Sequence, residues 1–134
     1  MEIKVSTEQA RVPVTVMHVD GNIDSSTHER FKARADELIQ GGARHILVDL
    51  SHASFVSSAG LRALHGIFNT LRSLQPDSDL TDEQVKKGIA DGTYKSPHLK
   101  LLNPSKETQT AFKLSGFDMF IETFSERQSA IDSF

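Results

Sequence analysis

One short apolar run constrains the fold more than any other feature of this chain. Residues 45–50, His-Ile-Leu-Val-Asp-Leu, are almost uninterrupted in apolar character. Such a run is typical of a central strand that is covered on both faces of a sheet. Shortly after it, apolar residues at helical spacing predict an amphipathic helix from residue 59 to about residue 74. A buried strand followed by an amphipathic helix indicates an α/β fold.

Strand and helix patterns alternate on both sides of this unit. Before it, the pattern predicts a hairpin of two strands, and then a helix that begins with a Ser-x-x-Glu capping box. After it, the pattern predicts a strand, a helix, a further strand and a terminal helix. The earlier predictions are strands at residues 3–5 and 12–19, a capping box at 26–29 and a helix stop at 41–42. The later ones are a strand at 99–102, a helix from Asn103-Pro104 to Ser115-Gly116, a strand within 117–124 and a helix from about residue 125.

One segment departs from this alternation in a chain whose 134 residues have the size of a single domain. Residues 75–97 are polar and rich in turn residues, with only a short helix predicted over residues 81–89. Val85, Ile89 and Tyr94 are the apolar residues that we expect to anchor it. Loops of this length are uncommon in small domains and are usually functional or mobile. Two interpretations stay open: a mobile linker, or a loop that contacts a partner.

The charge and hydropathy of the chain argue against nucleic-acid and membrane binding. There are 15 Lys and Arg residues against 18 Asp and Glu, which gives a net charge of −3. No basic field is therefore present to attract nucleic acid or anionic lipid. Since no apolar stretch approaches the roughly 18 residues of a spanning helix, we expect a cytoplasmic protein.

The composition also argues against catalysis and metal binding. Without cysteine, the chain has no disulfide, thiol nucleophile or thiolate metal site. The six histidines lack the spacing of common metal-binding motifs. The sequence also has no Gly-x-Ser-x-Gly motif of a serine hydrolase. We therefore expect neither a metal site nor an enzyme.

A serine pair, Ser57 and Ser58, stands directly before the helix that follows the central strand. A serine in this position can cap the free amides of the helix. The same position suits a phosphoryl group, because the amides and the positive end of the helix dipole stabilise a dianion. The residues alone leave both roles open.

The segment around this pair resembles a known family signature. Residues 49–64, Asp-Leu-Ser-His-Ala-Ser-Phe-Val-Ser-Ser-Ala-Gly-Leu-Arg-Ala-Leu, resemble the signature of the STAS domain family, the fold of bacterial anti-sigma factor antagonists. Gly-Asn-Ile-Asp at residues 21–24 resembles the family's Gly-x-Leu-Asp turn. Asn103-Pro104 and residues 112–117 resemble its late strand and helix. The resemblance covers nearly the whole chain except residues 75–97.

This resemblance implies a fold and a function. The fold is a single STAS-like α/β domain over residues 1–134, with a mixed sheet of four to five strands, helices mainly on one face and a polar insertion at about 75–97. The function is that of an anti-sigma factor antagonist. In its unphosphorylated form it binds an anti-sigma factor that is also a serine kinase of the histidine-kinase-like ATPase type. Phosphorylation ends the binding, and a metal-dependent serine phosphatase restores it.

Two further expectations follow from the resemblance. Because the kinase supplies ATP and Mg²⁺, we expect no cofactor in this chain. Related single-domain proteins are constitutive STAS binding subunits of transporter or sensor complexes, in which the serine only caps the helix. This alternative function stays open beside the phosphorylation-controlled one.

The resemblance assigns the phosphoacceptor residue less directly. A frequent family pattern is Asp-Ser-Ser-Gly-Leu or Asp-Ser-Thr-Gly-Leu, whereas this chain has Ser-Ser-Ala-Gly-Leu at residues 57–61. Aligned on Gly60, Ser57 takes the Asp position and Ala59 takes the second hydroxyl position. A subgroup of similar proteins carries Ser-Ser-Ala-Gly-Leu-Arg, as here. The resemblance therefore implies Ser58 as the phosphoacceptor, with Ser57 second.

A wider set of residues around the acceptor is expected to bind the partner: Asp24, Ser57, Ser58, Ala59, Gly60 and Arg62. Asp24 aligns with an acidic family position that helps to bind the kinase, and it also suits a turn or a helix cap. Arg62 is open to two interpretations, a contact with phosphate or a partner carboxylate, or a solvated arginine. Leu61, Leu64 and Phe68 are expected to face the core, which leaves the other side of the helix for the kinase.

Overall fold

The sheet is five-stranded, with its strands in sequence order from β1 to β5. The computed structural model describes residues 1–74 and 82–134, apart from the side chain of Asp82. The strands are β1 Glu2–Gln9, β2 Pro13–Asp20, β3 Ile46–His52, β4 Leu99–Leu102 and β5 Thr123–Phe124. The α-helices are α1 His28–Gln40, α2 Ser58–Leu74, α3 Asp82–Asp91, α4 Lys106–Ser115 and α5 Arg127–Asp132, and a 3₁₀ turn spans Phe117–Met119.

The sheet is mixed. Strands β1 and β2 form an antiparallel hairpin in which Glu2 lies opposite Asp20 and Gln9 lies opposite Pro13. The remaining neighbours, β2 with β3, β3 with β4 and β4 with β5, are parallel. Strand β3 is therefore central, as the apolar run predicted.

Alternate residues of the sheet face two different cores. Val48 of β3 belongs to the main core, which also contains buried residues of α1, α2, α3 and α4. Its neighbour Leu47 faces the other side, where Ala130 and Ile131 of α5 cover a smaller apolar cluster. The prediction of a mixed sheet with helices mainly on one face is confirmed. Among the helices that the structure describes, α5 alone covers this second side, which we call the open face.

The predicted starts of α1 and α4 are wrong, and α5 begins at Arg127 with Glu126 as its N-cap, later than the predicted start at about residue 125. Helix α1 begins at His28, and its N-cap, Thr27, makes no side-chain capping bond. The capping box at residues 26–29 does not form, because both the backbone N–H and the hydroxyl of Ser26 donate to Oδ1 of Asp24, at 2.9 and 2.7 Å.

Helix α4 begins at Lys106 with Ser105 as its N-cap, two residues later than predicted from Asn103-Pro104. The reason is tertiary. The N–H of Asn103 donates to the carbonyl of Phe124 at 2.8 Å, and Asn103 has a φ of 52°. This residue therefore still continues the sheet before the chain turns.

Residues 75–81 of the polar segment lie outside the described residues. The part that is described contains α3, close to the predicted helix at 81–89. Val85 and Tyr94 are buried, and Ile89 packs against the same core. Whether the insertion is a mobile linker or a loop that contacts a partner stays open, and both interpretations remain predictions.

Candidate functional site

Two loops meet at the carboxyl ends of the parallel strands β2 and β3. Ile23, after β2, forms an isolated parallel bridge with Val56, after β3. The N–H of Ile23 donates to the carbonyl of Phe55 at 3.1 Å, and the N–H of Ser57 donates to the carbonyl of Ile23 at 2.8 Å. These bonds hold the turn that contains Asp24 beside the serine pair.

The first turn of α2 packs tightly on this junction. A Cβ atom built on Gly60 would lie 2.7 Å from both the carbonyl oxygen of Ile23 and Cγ1 of Val56. Only glycine fits there without a shift of the backbone or of a buried side chain. Ala59 and Gly60 are both buried, so the structure places them under the site, where they set its shape.

The two serines have different environments. Ser57 is half-buried, and its Oγ accepts a hydrogen bond from the N–H of Gly60 at 3.3 Å. It is therefore the capping serine of α2. Ser58 is the first residue of the helix, is exposed, and makes no side-chain hydrogen bond to another residue in the described ranges.

Asp24 has the turn role that its position in the sequence allows. Its Oδ1 accepts from the hydroxyl of Ser26 at 2.7 Å, from the N–H of Ser26 at 2.9 Å and from Oγ1 of Thr27 at 3.2 Å. Hydrogen bonds from Ser26 and Thr27 lower the pKa of Asp24 below its usual value. A fixed negative charge therefore lies in the loop that is bonded to the serine loop.

The exposed side of α2 continues from Ser58 to Arg62, which lies four residues later and so one turn along the helix. Leu61, Leu64 and Phe68 face the core, as predicted. Sequence reasoning missed Phe55 as part of this surface, although its side chain is 45% exposed in the loop just before the serines. The signal was a large aromatic residue in the turn between a buried strand and a helix.

Family comparison agrees with this geometry. Residues 5–78, which are more than half of the chain, match the sequence model of the STAS domain. The chain belongs to the STAS domain family. Comparison with curated protein sequences finds no match.

Solved structures show the same fold. The chain is similar to a candidate anti-sigma factor antagonist, TM1081, from Thermotoga maritima, with a TM-score of 0.72 and 14% identity over 97% of this chain and 92% of that one. An anti-sigma factor antagonist from Mycobacterium paratuberculosis has a TM-score of 0.65 and 19% identity over 96% and 91% of the two chains. The phosphorylated form of the Bacillus cell fate determinant SpoIIAA has a TM-score of 0.62 and 20% identity over 98% and 97%. At these identities the likeness shows the fold.

This STAS domain has a second polar cluster, on the open face, which sequence reasoning missed. Oδ2 of Asp49 lies 3.0 Å from Nδ1 of His18, and Nε2 of His18 lies 3.0 Å from Oγ of Ser6. Burial alone would raise the pKa of Asp49, but hydrogen bonds from Ser51 and His18 outweigh it and the pKa is lowered. The ionised carboxylate can only accept, so Nδ1 of His18 carries a proton and, in the neutral ring, Nε2 accepts from Ser6.

The Ser-His-Asp order of this cluster matches that of hydrolase triads. Ser6, however, lies in the middle of β1 and not on the sharp strand-to-helix turn that exposes a nucleophile beside backbone amides. The three side chains come from three neighbouring strands and link them across the open face. We interpret the cluster as a hydrogen-bonded network within the sheet.

Metal-binding and membrane-spanning features are not found in the described part of the chain. No group of three or more His, Asp or Glu side chains there is arranged to hold a metal ion. Within the same residues, no helix has the length and apolar character needed to cross a bilayer.

Proposed function

We propose that this STAS domain is an anti-sigma factor antagonist that changes partners when Ser58 is phosphorylated. The observation that carries the proposal is the difference in bonding and exposure between the two serines. Ser57 caps α2, whereas the hydroxyl of Ser58 is exposed and bonded to no other described residue. A kinase can therefore modify Ser58 without breaking a bond that holds the fold.

At the position of Ser58, a phosphate is compatible with the fold and changes the surface that a partner meets. The start of a helix favours negative charge, so a phosphate of roughly −1.5 to −2 would not destabilise α2. That charge would be added to a surface where Asp24 is already negative and Phe55 is exposed. A partner surface that accommodates the neutral serine would then meet a repulsive and strongly hydrated group.

The similar protein SpoIIAA supports this assignment, because solved structures describe it in unphosphorylated and phosphorylated forms. We propose as partners an anti-sigma factor that is a serine kinase of the histidine-kinase-like ATPase type, and a metal-dependent serine phosphatase. We propose that the protein acts in the bacterial cytoplasm as a signalling module of transcription regulation. It needs no catalytic residue or cofactor of its own.

Within the proposed contact surface, the residues have two kinds of role. Asp24, Ser58 and Arg62 have side chains that reach solvent and can contact the kinase. Ser57 and Gly60 fix the start of α2 through the cap and the close approach to Ile23. Ala59 is buried, so we group it with the residues that fix the start of α2 and not with those that contact the kinase.

The first test is phosphosite mapping by mass spectrometry on the protein isolated from its own cells, grown in rich and in stressed conditions. We expect a phosphate on Ser58 whose occupancy changes with condition. A phosphate on Ser57 would move the acceptor by one residue. The complete absence of phosphate in every condition would contradict phosphorylation control and favour the constitutive subunit of a transporter or sensor complex.

The second test compares the proteins that copurify with tagged variants from the same cells. Ser58→Ala should retain the kinase partner, and Ser58→Asp should lose it. Ser73→Asp is the matched control, because Ser73 is exposed near the other end of the same helix. Fifteen residues at 1.5 Å rise put it about 22 Å away from Ser58. Equal recovery of the partner with Ser58→Ala and Ser58→Asp would contradict the switch.

A further inference from the structure

The two edges of the sheet are very different in length. Strand β5 has two residues and β1 has eight, and both are edge strands. An edge strand presents a row of unpaired backbone N–H and C=O groups, and extreme shortness is one way in which proteins prevent pairing there. Strand β1 does not have this protection.

Within the described part of the chain, no backbone hydrogen bond from another segment reaches the outer side of β1. A groove of about 240 Å³ separates Ile3 of β1 from Ala33 and Glu37 of α1. The backbone of β1 pairs on its inner side with β2 along its full length, from Glu2 to Gln9. Its outer side is thus the longest strand edge available to another chain.

A second copy of this chain can pair there only in certain registers. In a symmetric antiparallel pair, residues directly opposite each other point to the same face of the sheet. The numbers of two opposing residues must therefore add up to an even number. Two such registers overlap by seven residues: residues 2–8 around Val5, and residues 3–9 around Ser6.

The charged residues of β1 favour one of these two registers over the other. The register around Val5 sets Glu2 opposite Glu8 of the partner subunit, twice by symmetry. The register around Ser6 instead sets Lys4 opposite Glu8 of the partner subunit, also twice. Opposite charges across a strand pair stabilise it, and like charges destabilise it. A shift to a register around Lys4 would place two lysines against each other.

The side chains needed for the favourable register are available. Lys4 is exposed and makes no ion pair with another residue in the ranges that the structure describes. Oε1 of Glu8 accepts from Arg127, which leaves Oε2 for a second cation. The hydroxyl of Ser6, which would lie at the two-fold axis, is held to His18 and so does not need a partner across the axis.

We propose that this STAS domain forms a homodimer by antiparallel pairing of β1 with β1 of a second copy, in the register centred on Ser6. The two five-stranded sheets then join into one sheet of ten strands. Because the pairing is antiparallel, the two Ser58 sites lie at opposite ends of the joined sheet. The interface is separate from the proposed phosphoacceptor, so the dimer forms with or without phosphate on Ser58.

The absence of cysteine from the chain allows a direct test of register. Ser6→Cys places two thiols opposite each other in the proposed register, and Val5→Cys does so in the competing one. Under mild oxidation, we expect Ser6→Cys to form a covalent dimer on non-reducing gels faster than Val5→Cys. Faster trapping of Val5→Cys would overturn the register. Equal, slow trapping of both would overturn the interface.

Charge variants test the same pairing without removing the hydroxyl of Ser6. Analytical ultracentrifugation should show a dimer whose Kd rises about tenfold or more in Lys4→Glu and in Glu8→Lys, because attraction becomes repulsion at two places. The double variant Lys4→Glu with Glu8→Lys should recover dimerisation. Glu2→Lys, the matched control on the same strand, lies outside the seven paired residues and should leave Kd unchanged within about threefold.

Two results would refute the proposed β1 interface. One is a monomer at every concentration up to about 1 mM. The other is a dimer whose Kd does not respond to Lys4→Glu or does not recover in the double variant. Circular dichroism of each variant confirms that it is folded before its Kd is compared.

Discussion

The tight packing of α2 on the Asp24 loop makes Gly60→Ala the most informative single substitution. The added methyl group would lie 2.7 Å from the carbonyl oxygen of Ile23, 2.7 Å from Cγ1 of Val56 and 3.0 Å from Cγ2 of Ile23. One of these atoms belongs to the backbone, and the residues that carry the others are buried. None of them can move away at low cost.

The magnitude follows from two opposing contributions. Overpacking typically costs about 1–3 kcal/mol, and the 2.7 Å contact with a backbone oxygen puts this site in the upper part of that range, at about 2–3 kcal/mol. The better helix propensity of alanine offsets at most about 1 kcal/mol of this. We therefore expect the free energy of unfolding to fall by about 1–2 kcal/mol, and Tm by roughly 4–8 °C for a domain of this size.

The same helix offers a matched control, Gly66→Ala. Its added methyl group would lie 2.9 Å from Cε of Lys32, which is near the end of a flexible, partly exposed side chain. That side chain can rotate away at the cost of at most a weak surface ion pair with Asp36. Alanine then contributes its helix propensity, so Gly66→Ala should be as stable as the natural chain or up to about 1 kcal/mol more stable.

Urea unfolding followed by circular dichroism measures both variants under identical conditions. The expected outcome is a loss of stability in Gly60→Ala and no loss in Gly66→Ala, although the chemical change and the helix are the same. If Gly60→Ala proves as stable as Gly66→Ala, the close approach of α2 to Ile23 does not constrain the site, and the reasoning is wrong. Partner capture with Gly60→Ala then shows whether the same packing also sets the presentation of Ser58.

Two further predictions concern the cap and the open-face network. Ser57→Ala should lower the free energy of unfolding by about 1 kcal/mol because the cap on Gly60 is lost. Ser58→Ala, which breaks no intramolecular bond, should leave it unchanged within about 0.5 kcal/mol, as urea titration can measure. Burial opposes ionisation of Asp49, but hydrogen bonds from Ser51 and His18 bring its pKa below the value of 3.8 expected in the unfolded chain. The ionised carboxylate thus stabilises the fold above pH 3.8, and this contribution is lost as the pH falls through the folded pKa. When the free energy of unfolding is measured against pH, Asp49→Asn should reduce its fall at acid pH. An unchanged fall would contradict the network.

Local patterns predicted the elements whose signals are contained in a few neighbouring residues. The apolar run before Asp49 predicted the central strand, because only burial on both faces favours such a run. Gly116 predicted the end of α4, where it adopts a left-handed φ of 81°. The predicted starts of α1 and α4 failed because other groups bind the predicted capping residues, one of them close in the sequence and the other distant. Ser26 is bonded to Asp24, and Asn103 is bonded to the carbonyl of Phe124.

The sequence by itself determined the α/β pattern, the family resemblance and the location of a serine pair at a helix start. Only the tertiary structure separated the roles of that pair, because burial and the bond to Gly60 depend on how α2 meets the loop at Ile23. The link between His18 and Asp49 likewise spans 31 residues and exists only once β2 and β3 lie side by side. Hydrophobic period is a local property of the chain, whereas exposure, capping and pairing are set by which distant segments the fold brings together.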